Sequence, residues 1–172
     1  MKQCQQRDII VDFIDLDLET EFQPIGVESD NQTKILEYQL RMKRAEYIAF
    51  FHPVSLFHLP GLLKLFIDQV FTSGFAYKRY RGETTGLLGK KPVNVVAVSD
   101  FFGWQVNLFD NSGLKTFWNR TFARTFDASV SYQLIGSARE KNHNKKEETL
   151  RIAKKMAEKL NPNHSIDQIE MF

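Results

Sequence analysis

The residues of this chain that could do chemistry are few, and their spacing excludes more than it offers. Four histidines stand at His52, His58, His143 and His164, beside a single cysteine, Cys4. No group of His, Cys, Asp or Glu has metal-ligand spacing, and no Ser-His-Asp order suggests a hydrolase. Cys4 alone can form no internal disulfide, which makes a reducing cytoplasm the expected compartment. His143 and His164 lie in polar stretches and read as solvated. His52 and His58 bracket another kind of candidate, "HPVSLFH". A proline directly after an apolar run fixes the direction in which the chain leaves a strand, so the backbone N–H groups that follow Pro53 are held in a turn outside the sheet. His52, at the strand end, reads as a hydrogen-bonded structural histidine. His58, inside the loop, is the better candidate for a polar contact to substrate. A second stretch, Tyr77, Lys78, Arg79, Tyr80 and Arg81, interleaves cations with aromatic rings, and could grip the phosphates of a dinucleotide or keep a loop soluble.

The elements that must position these residues follow from periodicity. Arg7 to Leu18, "RDIIVDFIDLDL", reads as a strand ending in acidic residues. Glu19 to Asn31 is a loop containing Pro24 and Gly26. Asp30 or Asn31 can cap a helix that runs to about Arg44, with Ile35, Leu36 and Leu40 expected on its buried side. Tyr47 to Phe51 has the continuous apolar character of a central parallel strand covered on both faces. Pro60 is placed as the first residue of a helix reaching Phe71, with Gly74 as its stop. Residues 78–91 read as a basic, glycine-punctuated loop. Val93 to Ser99 is a third strand, and 103–113 is irregular. Leu114 to Phe126 is a helix in which Trp118, Phe122 and Phe126 recur at every fourth residue. Val130 to Ile135 is a fourth strand. Lys145 to Leu160 is an amphipathic helix with Leu150, Ala153, Ala157 and Leu160 on one stripe, followed by a polar tail over 161–172.

Strands alternating with helices predict parallel βαβ units with right-handed crossovers, hence a doubly wound α/β sheet in three α/β/α layers. Ligands of such sheets bind beyond the carboxyl ends of the strands. That places His52 to Leu59, Ser99 to Asn107 and Gly136 to Arg139 at the site. The length of 172 residues suits one domain spanning 1–172, with its core over 8–160. An apolar share of 42% with 26% charged residues excludes a disordered chain, and a net charge of +2 gives no argument for nucleic acid or an anionic membrane surface. No apolar run approaches the ~18 residues of a membrane span, and "MKQCQQRD" has no signal-peptide core. Fifteen phenylalanines call for a thick aromatic core or a pocket for something flat.

"HPVSLFHLPGLLKLFIDQVFTSGFAY" followed by "GLLGKKPVNVV" resembles the flavodoxin-like NAD(P)H:quinone oxidoreductases, including those that serve as accessory subunits of potassium efflux systems. The match is specific over residues 50–98 and looser from Asp8 to about Leu160. The resemblance implies a flavodoxin-like fold, FMN (or FAD) as cofactor, NAD(P)H as electron donor and two-electron reduction of a quinone-type acceptor. It implies that Pro53, Val54, Ser55, Leu56 and Phe57 pass beneath the flavin ring, and that Ser99, Asp100 and Gly103 form a second ring loop. It further implies that His58, Phe75, Tyr77 and Trp104 face substrate, and that a homodimer forms through about Leu62 to Tyr77. Two departures stand out. Leu56 occupies a place where the family often has an aromatic residue. Asp100, Phe101 and Phe102 replace a small, glycine-rich loop, so this segment is expected either to swing away or to fill the pocket itself.

The family also opens with a strand, a phosphate-binding loop and a helix that have no match here, and "FIDLDLE" corresponds to its second strand. In a sheet of order 2-1-3-4-5 the unmatched strand is an interior one, next to the FMN phosphate. On that reading the flavin is held by its ring end and loosely at its phosphate, so riboflavin binds nearly as well as FMN. A non-catalytic regulatory or binding module with the same fold is the alternative reading of the same residues.

Overall fold

The computed structural model describes residues 10–18, 32–101, 104–105, 113–136, 147, 151–152 and 154–155. They belong to two compact units, Met1–Ile14 with Arg139–Phe172, and Asp15–Ala138. In the first unit, residues 10–14 are irregular, and the described residues of the expected 145–160 helix are helical. Leu150, Ala153, Ala157, Leu160 and the tail lie outside the described residues.

The second unit opens on a turn where a strand was expected. Asp15 accepts the Leu18 N–H on its carbonyl at 3.1 Å and the Asp17 N–H on its carboxylate at 3.1 Å. A short acidic side chain that captures a nearby backbone N–H competes with ladder formation. Residues 10–18 accordingly carry no ladder, and Ile10 and Leu18 are 97% and 76% exposed.

Helix α1, Gln32–Arg44, carries Arg41, Lys43 and Arg44 in its last turn, where cations complement the helix dipole. Its inward stripe runs through Ile35, Tyr38 and Met42, spaced three and four. Leu36 and Leu40, expected inside, sit on the other side of that stripe and face out, 58% and 53% exposed. Tyr38 is fully buried, edge-on to Phe66 at 5.5 Å. Gln39 Nε2 donates to Val70 O at 2.9 Å and Thr72 Oγ1 at 3.1 Å, tying α1 to the end of the next helix.

Strand β1, Ile48–Pro53, strand β4, Lys91–Val98, and strand β5, Ala128–Ile135, form a parallel sheet of order β1-β4-β5. Five consecutive buried residues, Val93 to Ala97, mark β4 as the central strand. β1 instead alternates buried and exposed positions. The expectation that it is covered on both faces is therefore corrected: Phe50 is 7% exposed and its neighbour Phe51 65%. Nor is β1 central among the described residues, since no described strand lies along its outer edge.

Helix α2, Gly61–Val70, connects β1 onward and buries Leu63, Phe66, Ile67 and Val70. Pro60 stands just before it as the cap residue, with ψ 139, so it is not the first helical residue as expected; its carbonyl accepts the Lys64 N–H at 3.0 Å. The helix stops at Phe71, whose N–H reaches Ile67 O, and not at Gly74. Gly74 has φ +90 and makes the turn that follows.

The expected 78–91 loop contains a hairpin, β2 Tyr77–Tyr80 and β3 Glu83–Gly86, paired antiparallel. Its two-residue connection, Arg81 at φ 48 and Gly82 at φ 86, has the mirror-image turn form that matches strand twist. The glycine-containing pair "RG" between Tyr80 and Glu83 is the signal in the sequence. A Cβ on Gly86 would lie 2.2 Å from Asp127 N and 2.3 Å from the Phe126 carbonyl carbon, so only glycine allows this approach.

Helix α3 runs through three consecutive stretches, Gly113–Thr116, Phe117–Phe122 and Ala123–Phe126, the middle one with π geometry. As the fourfold spacing requires, Trp118, Phe122 and Phe126 are buried. Phe50 meets Phe71, Trp118 and Phe122 at centroid distances of 6.2, 5.1 and 5.9 Å. Much of the phenylalanine content is this core. Asp127, at φ 54, ends the helix in the left-handed region. No helix among the described residues is long and apolar enough to cross a membrane.

Candidate active site

The carboxyl ends of β1 and β4 each release a short loop, and both loops are fastened by one further ladder bond. Val54 N–H donates to Val98 O at 2.7 Å, and Ser99 N–H donates to Ile135 O at 2.8 Å. Beyond Val54 the chain reverses at once. Ser55 and His58 exchange backbone hydrogen bonds of 3.0 and 2.8 Å, and the two residues between them, Leu56 and Phe57, have φ of 45 and 66. A left-handed conformation costs a residue with a side chain roughly 1–2 kcal/mol, so two in succession persist only where the surroundings impose them. Here Pro53 and the Val54 ladder bond fix the entry, and the Ser55–His58 pair fixes the exit.

This geometry narrows the expectation that Val54 to Phe57 present a row of N–H donors. The Val54 and Ser55 N–H groups are already bonded within the protein. The Leu56 N–H, at the turn's tip, finds no acceptor among the described residues, and the Leu56 side chain is 85% exposed.

Phe57, half-buried, lies against Phe101 with centroids 5.0 Å apart and planes at 29°. The second loop thus fills the space over the first. Phe101 is held in place from behind: its N–H donates to Ser99 Oγ at 3.1 Å, while Ser99 itself is 2% exposed. Asp100 is exposed and Trp104 is 63% exposed. Gly103 lies outside the described residues.

His52 closes the floor. It is buried, stacked on Trp118 at 5.8 Å and 29°, and its Nδ1–H donates to the Pro53 carbonyl at 2.8 Å. Burial pushes its pKa below the ordinary value of 6.5, against the opposing pull of the Pro53 bond. The imidazole is therefore neutral and helps hold the peptide that starts the turn. Its Nε2 and the Trp118 indole N–H have no partner among the described residues.

The structure brings Pro53, Val54, Ser55, Leu56, Phe57 and His58 together with Ser99, Asp100 and Phe101. Phe75 and Tyr77 have their ring contacts elsewhere, with Phe71 at 6.2 Å and Phe126 at 6.0 Å, in the aromatic core. From the sequence Phe101 reads only as a departure from pattern, and its pairing with Phe57 is a finding of the structure.

Residues 1–160 match the model of a family described as having the flavodoxin-like fold, and the chain belongs to that family. Many solved structures are similar to it, among them the three that follow. An azoreductase from Bacillus anthracis strain Sterne shares 16% identity over 91% of this chain and 86% of its own, with a TM-score of 0.73. A proposed quinone reductase from Klebsiella pneumoniae shares 16% over 93% and 76%, with a TM-score of 0.68. An FMN-dependent NADH-azoreductase from Bacillus anthracis strain Ames Ancestor, in complex with FMN, shares 15% over 89% and 77%, with a TM-score of 0.61. At these identities the likeness is one of fold.

Proposed function

We propose that the chain is a flavin-dependent NAD(P)H oxidoreductase, using FMN (or FAD), that reduces quinone-type acceptors. The observation that carries this reading is the strained turn Ser55–His58 at the carboxyl end of β1, with a Leu56 N–H at its tip that has no acceptor among the described residues. Left-handed residues with side chains persist at ligand clamps, and doubly wound sheets bind ligands at this end. The donor set suits the polar edge of a flat heterocycle: a backbone N–H, the exposed Ser55 and an aromatic face at Phe57.

When bound, a flavin supplies the redox chemistry, taking a hydride from the nicotinamide and passing two electrons to the acceptor. The protein's part is to bind and orient. Pro53 and Val54 set the entry of the turn, the Leu56 N–H would donate to the ring edge, and Ser99 and Asp100 would form the second wall. His58 and Trp104, both exposed, face the acceptor. Phe75 and Tyr77, of the substrate set, stand further off, and Lys78, Arg79 and Arg81 on the hairpin would meet the dinucleotide phosphates. A homodimer through Leu62 to Tyr77 would use the outer face of α2, where Lys64 and Asp68 pair at 2.5 Å. Flavin uptake by the purified protein, with NAD(P)H oxidation by a quinone at a rate proportional to protein, is the expected result. Protein that takes up no flavin on reconstitution overturns the reading. The alternative, a non-catalytic binding module, is favoured by one observation, the Phe101 ring covering Phe57; steady quinone-dependent NADH oxidation excludes it.

A further inference from the structure

We infer that Phe101 is the resident occupant of the aromatic slot on Phe57, so that a flavin ring enters only when the Phe57–Phe101 stack opens. The inference rests on the flavin reading above and adds a residue that sets its affinity. At 5.0 Å and 29° the Phe101 ring lies over the face of Phe57, and a flat ligand cannot use that face at the same time. The contact is built. Val54 and Ser99 anchor the two loops to the sheet, and Phe101 is tethered one bond further by the Ser99 hydroxyl. It can also open without unmaking the core. Phe101 is 48% exposed while stacked, so it lies at the surface and its release uncovers about half of one side chain and the Phe57 face. Phe57 cannot readily follow, because its left-handed backbone is locked between Ser55 and His58. The slot residue is thus fixed and the occupant movable. A departing Phe101 leaves a floor of Phe57 and a neighbouring Leu56 N–H, the pair a flat ring with a polar edge needs.

The test compares flavin affinity across four proteins, wild type, Phe101→Ala, Phe101→Tyr and Phe57→Ala, by titrating apo protein into FMN and into riboflavin and following quenching of flavin fluorescence. An aromatic pair contributes about 0.5–1.5 kcal/mol beyond its area, so Phe101→Ala should bind both flavins about two- to tenfold more tightly. Phe101→Tyr, which still stacks, should stay near wild type, and Phe57→Ala should bind more weakly. Phe101→Leu, which keeps apolar volume without a ring, replaces Phe101→Ala if that variant is unstable in urea. Weaker or unchanged binding by Phe101→Ala, with wild type binding normally, overturns the inference and leaves the flavin reading standing. No quenching by any of the four proteins overturns the flavin reading itself.

Discussion

Phe50 and Phe51 are adjacent, identical side chains that the fold treats in opposite ways, and replacing each with alanine measures the asymmetry of β1. Phe50 is 7% exposed and meets three other rings, those of Phe71, Trp118 and Phe122. Its truncation removes nearly the whole transfer term and leaves a cavity among rigid rings that cannot close around it. The expected cost is about 3–5 kcal/mol. Phe51 is 65% exposed. It keeps about a third of the roughly 1.5–3 kcal/mol that full burial of such a side chain is worth, and an open face leaves no cavity, so its truncation should cost below about 1 kcal/mol. Urea unfolding followed by far-ultraviolet circular dichroism reads the difference as a shift in midpoint at constant slope. The two variants should differ by at least about 2 kcal/mol. Equal losses would show that the outer face of β1 is covered in solution, and the account of β1 as a half-open edge would fail.

Three further outcomes follow from particular contacts. His52 is held neutral by burial, with its pKa depressed from 6.5. The unfolded chain therefore takes up the proton first, and stability that is intact above about pH 6.5 falls below it, at no more than about 1.4 kcal/mol per pH unit, until the folded-state value is passed. His52→Gln should flatten that limb, and an unchanged pH profile would refute the assignment. Gly86→Ala should destabilise by several kcal/mol, because its Cβ meets backbone at Asp127 that cannot step aside; a thermal midpoint equal to wild type would contradict this. Lys91 Nζ donates to the Ala45 carbonyl and, at 3.4 Å, to Lys43 O, capping the end of α1. Lys91→Met should cost about 1 kcal/mol in urea, and no loss at all would show the cap to be idle.

The parts of this fold that sequence exposes are those where burial and periodicity agree. The continuous apolar run Val93 to Ala97 announced a central parallel strand, and the fourfold spacing of Trp118, Phe122 and Phe126 announced the helix that fills the aromatic core. Misreadings arose where a pattern depends on neighbours that lie far away in sequence. Phe51 resembled a buried residue because its apolar character is visible, whereas the missing cover over its face is not. Leu36 and Leu40 make as good a stripe as Ile35, Tyr38 and Met42, and only the position of Phe66 selects between them. At the site, Pro53 correctly located the turn, but which N–H groups it leaves for a ligand depended on Val98 and on the Ser55–His58 pair. The Phe57–Phe101 stack joins two loops separated by a helix, a hairpin and a strand, so no local pattern could show it.

The central claim, that the turn after β1 belongs to a flavin site used for two-electron transfer, is tested most directly by anaerobic reduction of the flavin-reconstituted protein. On addition of NAD(P)H the visible flavin absorbance should bleach at a rate proportional to protein, and one equivalent of a quinone should restore it. Flavin that stays oxidised in the presence of the protein and NAD(P)H, or that separates from it on a desalting column, would contradict the account.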